Sequence, residues 1–239
     1  MKILIKYATR GRPELFKRSL KNIQDTIGNV NYIIGISADI DDETMYNTEI
    51  KDMLWDNMSA VIFYGSSKSK IEAINTDMAA LGKFNWDILI NFSDDMLFTQ
   101  NNWGLNIIEL AKKSRPNDTD FFLHLNDGFV NEKLPTMSII GRDYYNRDGY
   151  IYHPSYKSVS CDAEAMFVAM MRGRHYYYDI TLFNHLHPAN LPVQVVNDAT
   201  YHKNDAISHE DTENYFQRRE KLFFIENPVV IPYNPNVRE

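Results

Sequence analysis

Apolar residues in this chain gather in short, nearly continuous runs, separated by stretches in which they recur every three or four positions. The first run, Lys2-Ile3-Leu4-Ile5-Lys6-Tyr7, predicts a strand. Behind Pro13, which a first helical turn tolerates, Leu15, Phe16, Leu20, Ile23 and Ile27 keep a helical period. The same unit returns with a strand from Tyr32 to Ser37 and a helix from Ile50 to Met58. It returns again with a strand from Ala60 to Tyr64 and a helix marked by Ile71, Ile74, Met78 and Leu81 that breaks at Gly82. Asp87-Ile88-Leu89-Ile90-Asn91-Phe92 then reads as a buried strand. Four strand-helix alternations in about one hundred residues are the signature of a doubly wound, mainly parallel sheet.

The pattern changes after a helix from Trp103 to Lys113. Strands are expected at Phe121–Leu125, at Thr136–Ile140 and at Tyr176–Phe183. An aromatic, turn-rich segment runs from Tyr144 to Tyr156, and Cys161–Met171 predicts a helix with Asp162 and Glu164 in its first turn. His209-Glu210-Asp211 leads a polar helix, and the Pro-rich end from Asn227 to Glu239 is expected as an extended strap.

Composition narrows the picture. A chain of 239 residues with 44% hydrophobic content can bury one substantial core. The single cysteine, Cys161, excludes an intrachain disulfide and a thiolate metal cluster. Ile3-Leu4-Ile5 between two lysines is too short for a secretory leader, and no run reaches the length of a membrane span, so a cytoplasmic protein is expected. A formal charge of −7 argues against a broad nucleic-acid-binding face while leaving room for a local basic groove.

The chemistry concentrates where predicted strands end. Ser93-Asp94-Asp95 follows the most apolar strand, at the edge where open α/β sheets bind ligands. Adjacent carboxylates at such a place are costly unless compensated, and a divalent cation with a phosphate is one compensation. A helix cap is the plainer reading. Arg10 and Arg12 sit in a strand-to-helix loop that suits an anion, or are solvated loop charges. Asp39 and Asp41 either contact a ribose or base edge or enrich a helix start. Gly65-Ser66-Ser67-Lys68-Ser69-Lys70 resembles a phosphate cradle without the Walker spacing. Tyr150, Tyr152 and Tyr156 could stack on a sugar or base, or pack their loop onto the sheet. His185-Leu186-His187 places two imidazoles on one side of an extended backbone, and His202 is a rival ligand.

In this order the parts resemble the GT-A fold of nucleotide-sugar-dependent glycosyltransferases, most like the inverting family 2, over nearly the whole chain. The resemblance rests on Tyr7-Ala8-Thr9-Arg10-Gly11-Arg12-Pro13, on Asp39 or Asp41, and on Ser93-Asp94-Asp95, where Ser93 departs from the usual first acidic position. It implies a GT-A, Rossmann-like, doubly wound and mainly parallel mixed sheet flanked by helices in a single domain. Residues 1–113 would form the nucleotide-sugar-binding half and 114–239 the acceptor-binding and catalytic half. It further implies Mn²⁺ or Mg²⁺ on Asp95 with His185, His187 or His202, and a base at Asp162 or Glu164. Thr9, Arg10, Arg12, Asp39, Asp41, Lys70 and Asp94 would hold the donor. A nucleoside diphosphate sugar is then the expected donor, a UDP-sugar first, with a glycan or a modified DNA base as acceptor. Two other readings stay open on the residues alone. One is a metal-dependent hydrolase built on His185, His187 and His202; the other is a non-catalytic domain of the same fold that binds a nucleotide or glycan.

Overall fold

The computed structural model describes residues 1–55, 59–188, 190 and 199–231, the side chains of 199–206 excepted. Strand β1 (Lys2–Thr9) lies between β2 (Asn31–Asp39) and β4 (Ile88–Phe92), and β3 (Ala60–Gly65) flanks β2, all four parallel. Strands β6 (Phe122–Asn126), β7 (Ile139–Gly141) and β8 (His175–Thr181) extend the sheet to seven strands in the order β3-β2-β1-β4-β7-β6-β8, with β7 antiparallel to both neighbours. Gly141 has a packing reason to be glycine, since a Cβ there would meet the Thr119 carbonyl oxygen at 1.9 Å.

Every residue of β4 is buried, as its apolar run predicts for a parallel strand covered on both faces. Side chains alternate across β1. Ile3, Ile5 and Tyr7 face one apolar layer with Phe16, Leu20 and Ile23 of α1 (Pro13–Thr26) and Ile107 of α5 (Trp103–Ser114). Leu4 faces the other layer with Ile71 and Ile74 of α3 (Lys70–Asn75), Phe167 of α7 (Cys161–Met171) and Tyr215 of α8 (Ala199–Glu220).

A second, two-stranded antiparallel ladder joins β5 (Met96–Phe98) to β9 (Phe183–His185), pairing Met96 with His185. The expected strand at Tyr176–Phe183 is therefore two strands, interrupted at Leu182, whose carbonyl accepts the Thr99 N–H at 2.8 Å. The expected helix at Ile50–Met58 is α2 (Thr48–Trp55), its last three predicted positions lying outside the described residues. The helix expected across Ile71–Leu81 is split into α3 and α4 (Met78–Leu81) at Asp77. Asp77 adopts φ +63 and accepts the Ser37 hydroxyl at 2.6 Å, while the buried ammonium of Lys6 also bonds Ser37 and the Ala73 carbonyl. That polar network sets the break. The strand expected at Thr136–Ile140 is the shorter β7, and the Thr136 hydroxyl ahead of it donates to Asp127 at 3.0 Å.

The segment read as an aromatic loop begins with α6 (Arg142–Asp148). Among the described residues no helix is long and apolar enough to cross a membrane. The C-terminal stretch is tied to the end of α7 (Cys161–Met171) through the Val229 N–H, which bonds the Met171 carbonyl at 2.7 Å, and 232–239 lie outside the described residues.

Candidate active site

Strands β1 and β4 are in register up to Tyr7 opposite Phe92, so the loops after Thr9 and after Phe92 leave the sheet side by side. Helix α1 follows β1 on the β2 side and β4 continues toward β7, which makes this the switch point of the sheet. Arg12 stands just before α1, and its guanidinium donates to Asp94 Oδ1 at 3.0 Å with both side chains nearly removed from water. Burial and the neighbouring Asp95 charge raise the Asp94 carboxyl to about 6 against the pull of Arg12. Asp95 goes the other way. Burial alone would raise it, but a hydrogen bond with His185, that residue's charge and the Ser93 hydroxyl together hold it well below the usual carboxylate range. Two adjacent carboxyls thus have opposite environments.

The β5–β9 ladder brings His185 to this pair. Its Nε2 lies 3.4 Å from Asp95 Oδ2, and the Leu186 N–H donates to the Asp95 carbonyl at 2.7 Å. The His187 ring centre is 5.4 Å from that of His185. His185 Nδ1 is buried with no hydrogen-bond partner among the described residues. The side chain of His202 lies outside the described residues.

Arg10 is half-exposed and clasps two carboxylates, Asp39 at 2.6 Å and Asp41 at 2.7 Å. The other Asp39 oxygen accepts the Ser67 N–H at 3.0 Å, tying β2 to the small polar loop before α3. Gly11, at φ +70, donates its N–H to Asp42 Oδ2 at 2.6 Å, and Asp42 also caps Thr44. Asp42 was one acidic residue among several in the sequence. Only its burial marks it as the residue that shapes the turn between Arg10 and Arg12. Thr9 is buried at the end of β1, its hydroxyl without a partner among the described residues. Lys70, exposed at the start of α3, acts through its charge on Asp94, Asp95 and Asp162 alike.

Helix α7 separates its two first-turn carboxylates. Asp162 feels the charges of Lys70 and His185, and burial raises its carboxyl above the ordinary value although the Ala163 N–H donates to it at 2.8 Å. Glu164 is buried on another side, where the Arg218 guanidinium grips both its oxygens at 2.8 Å and the Tyr156 hydroxyl donates at 2.7 Å. Its lone pairs serve the α7–α8 contact. The rings of Tyr152 and Tyr156, expected as acceptor contacts, both lie inside the second apolar layer. The Tyr152 hydroxyl sits among Ser138 and Asn91, at 3.1 and 3.5 Å. Tyr150 remains partly exposed, its ring 5.3 Å from that of His153.

No family model matches the sequence, and no curated protein does. Solved structures do match by shape. The mannosyltransferase PcManGT from Pyrobaculum calidifontis, in complex with GDP-Man and Mn²⁺, superposes with a TM-score of 0.66 at 11% identity over 92% of this chain. The chain spans 64% of that protein's length. S. aureus TarS 1–349 superposes with a TM-score of 0.57 at 14% identity, over 93% of this chain and 74% of that one. The complex of that TarS fragment with UDP-GlcNAc gives a TM-score of 0.56 at 12% identity, over 85% and 64%. With its seven-stranded mixed sheet, helices on both faces and loops converging at the switch point, the chain has the GT-A fold of nucleotide-sugar glycosyltransferases.

Proposed function

We propose that this protein moves a sugar from a nucleoside diphosphate sugar to an acceptor hydroxyl, with residues 1–113 holding the donor and 114–239 the acceptor. The observation that carries the proposal is the meeting of Asp95 and His185 at 3.4 Å next to the Arg12–Asp94 pair, with Asp162 near enough to feel the charges of His185 and Lys70. Fold alone does not choose a reaction. A donor-binding edge, a cation-ready pair and a separate carboxylate are what this reaction needs.

Asp95 and His185 fit a divalent cation, Mn²⁺ or Mg²⁺. Ligand atoms at about 2.1 Å on adjacent octahedral corners lie roughly 3 Å apart, close to the observed spacing. Among the described residues no three His, Cys, Asp or Glu side chains gather as a metal cluster, so the diphosphate oxygens would complete the shell. When bound, the cation supplies Lewis-acid stabilisation of the departing diphosphate. Arg12 and Lys70 add positive charge to the same group. Asp42 holds the Gly11 turn that presents Arg12, and Arg10 braces the Asp39–Asp41 wall toward the ribose and base.

Asp162 is the base in this reading. Burial raises its affinity for a proton, which suits a carboxylate that accepts one from the attacking hydroxyl, and direct displacement then inverts the sugar carbon. Tyr150 and His153 form the aromatic pair left at the surface for a glycan acceptor.

The test is a thermal-shift and calorimetric panel of UDP, GDP, CDP and TDP, each with and without Mn²⁺. One nucleotide should stabilise the protein only with the metal, and Asp95→Ala should remove that gain. Stabilisation by metal alone, with no nucleotide effect, would sink the proposal.

A further inference from the structure

The segment between Tyr152 and α7 contains no regular element, yet it is held at both sides. From α3, the Asn75 amide bonds the Tyr152 carbonyl at 2.7 Å and the Ile151 N–H at 2.9 Å, and the Ile71 N–H donates to the Lys157 carbonyl at 3.2 Å. From α8, Asn214 donates to the Ser155 hydroxyl at 2.9 Å and Glu210 pairs with the Lys157 ammonium at 2.7 Å. At the centre stands Asp211. Its carboxylate is almost completely buried and accepts three successive backbone N–H groups, from Lys157 at 2.9 Å, Ser158 at 2.7 Å and Val159 at 2.8 Å.

Three consecutive amides pointing at one anion form a nest, a conformation that needs a negative charge at its focus. Charge-assisted hydrogen bonds of this kind are the strong ones, and a buried carboxylate without them would be costly. The location is what gives the nest a functional meaning. One end of it, through the Lys157 carbonyl, meets Ile71, the residue after Lys70. Its other end runs through Val159 and the left-handed Ser160 into the first turn of α7, where Asp162 sits. A displacement of the nest moves both groups.

We infer that Asp211 is a positioning residue of the active site, setting through the 157–159 backbone where Asp162 and Lys70 stand relative to the bound donor. This rests on the glycosyl-transfer reading. Arg218 is the natural comparison, because it joins the same two helices through Glu164 without touching the nest.

The experiment compares Asp211→Asn with Arg218→Met in the full chain, below the melting temperature of either. Asn keeps the size of Asp but, whichever way its amide turns, puts an N–H donor where an oxygen accepted at least one backbone amide. By NMR, the Asp162 carboxyl carbon and the Ile71 amide should shift in Asp211→Asn and stay in place in Arg218→Met. With UDP- and GDP-sugars and Mn²⁺, donor turnover in Asp211→Asn should fall about tenfold to a hundredfold in kcat with KM within about threefold, the expected effect of displacing a reacting group by about 1 Å. Arg218→Met should lower Tm with kcat within about twofold. An unmoved Asp162 resonance, or a moved one with wild-type kcat, overturns the inference. A wild-type protein that turns over none of these donors removes the glycosyl-transfer reading, and the resonances still decide whether Asp211 governs the placement of Asp162.

Discussion

His185 faces Asp95 because the β5–β9 ladder pairs Met96 with His185 and bonds the next residue, Leu186, to the Asp95 carbonyl. The backbone that carries the imidazole is thus fixed by hydrogen bonds. Its approach to the carboxylate is built into the fold and does not wait for a ligand. Replacing His185 with Ala should leave the ladder intact while weakening Mn²⁺-dependent nucleotide binding by more than about tenfold. Changes merely behind a metal ligand already cost 10- to 100-fold, so loss of a ligand should cost at least that. Calorimetry with Mn²⁺ at fixed nucleotide checks this, and unchanged affinity would remove His185 from the site.

The two carboxylates of α7 should separate cleanly. Asp162→Asn is expected to reduce transfer by about 10²- to 10⁴-fold, the usual contribution of a general base, with nucleotide affinity preserved. Glu164→Gln should instead destabilise the protein by about 1–3 kcal/mol, because it leaves the half-buried Arg218 guanidinium facing an uncharged partner. Urea midpoints and single-turnover rates on both variants distinguish the roles. Equal loss of rate at equal stability would contradict them.

Arg12 and Asp94 form a pair that water hardly reaches. Removing one partner of such a pair costs about 3–5 kcal/mol, whereas replacing both with apolar residues can be close to neutral. Arg12→Met should therefore be strongly destabilising and Arg12→Met with Asp94→Leu less so, a coupling that a double-mutant cycle measures directly. Additive effects would show that the pair is not coupled in solution. Neither variant should retain tight nucleotide binding.

Lys6 gives a test of stability alone. Burial lowers its ammonium from 10.5 to about 8, opposed by the charge of Asp77. Between those values the unfolded chain holds a proton that the folded one has released, so stability rises with pH across the window. Below about pH 8 the buried charge is present in full, a penalty on the order of 3 kcal/mol. Lys6→Met should remove that rise. Unfolding free energies of both proteins from pH 7 to 10.5 should converge or cross, and parallel curves would refute the assignment.

The periodicities of the first hundred residues were sufficient to read the parallel strands, because a strand buried on both faces has to be mostly apolar and each crossover helix has to show one apolar stripe. The Asp94-Asp95 position was readable for the same reason: it is the first polar sequence after such a strand. Asp162 and Glu164 were not separable. Residues two apart on a helix point about 200° away from each other, so only one of them can face a given site. Local energetics favour both equally at a helix start, and the docking of α8 decides which one Arg218 takes. Tyr152 and Tyr156 illustrate the same limit, since a tyrosine-rich loop has one composition whether it covers the core or greets a ligand. His185 beside Asp95, Arg12 on Asp94 and Asp211 under its nest all join segments far apart along the chain. Sequence by itself determined the sheet and the edge at which chemistry belongs, through short-range patterns. Tertiary structure alone decided which charged side chains remain for a ligand, because a buried charge must find its partner in space wherever the chain supplies it.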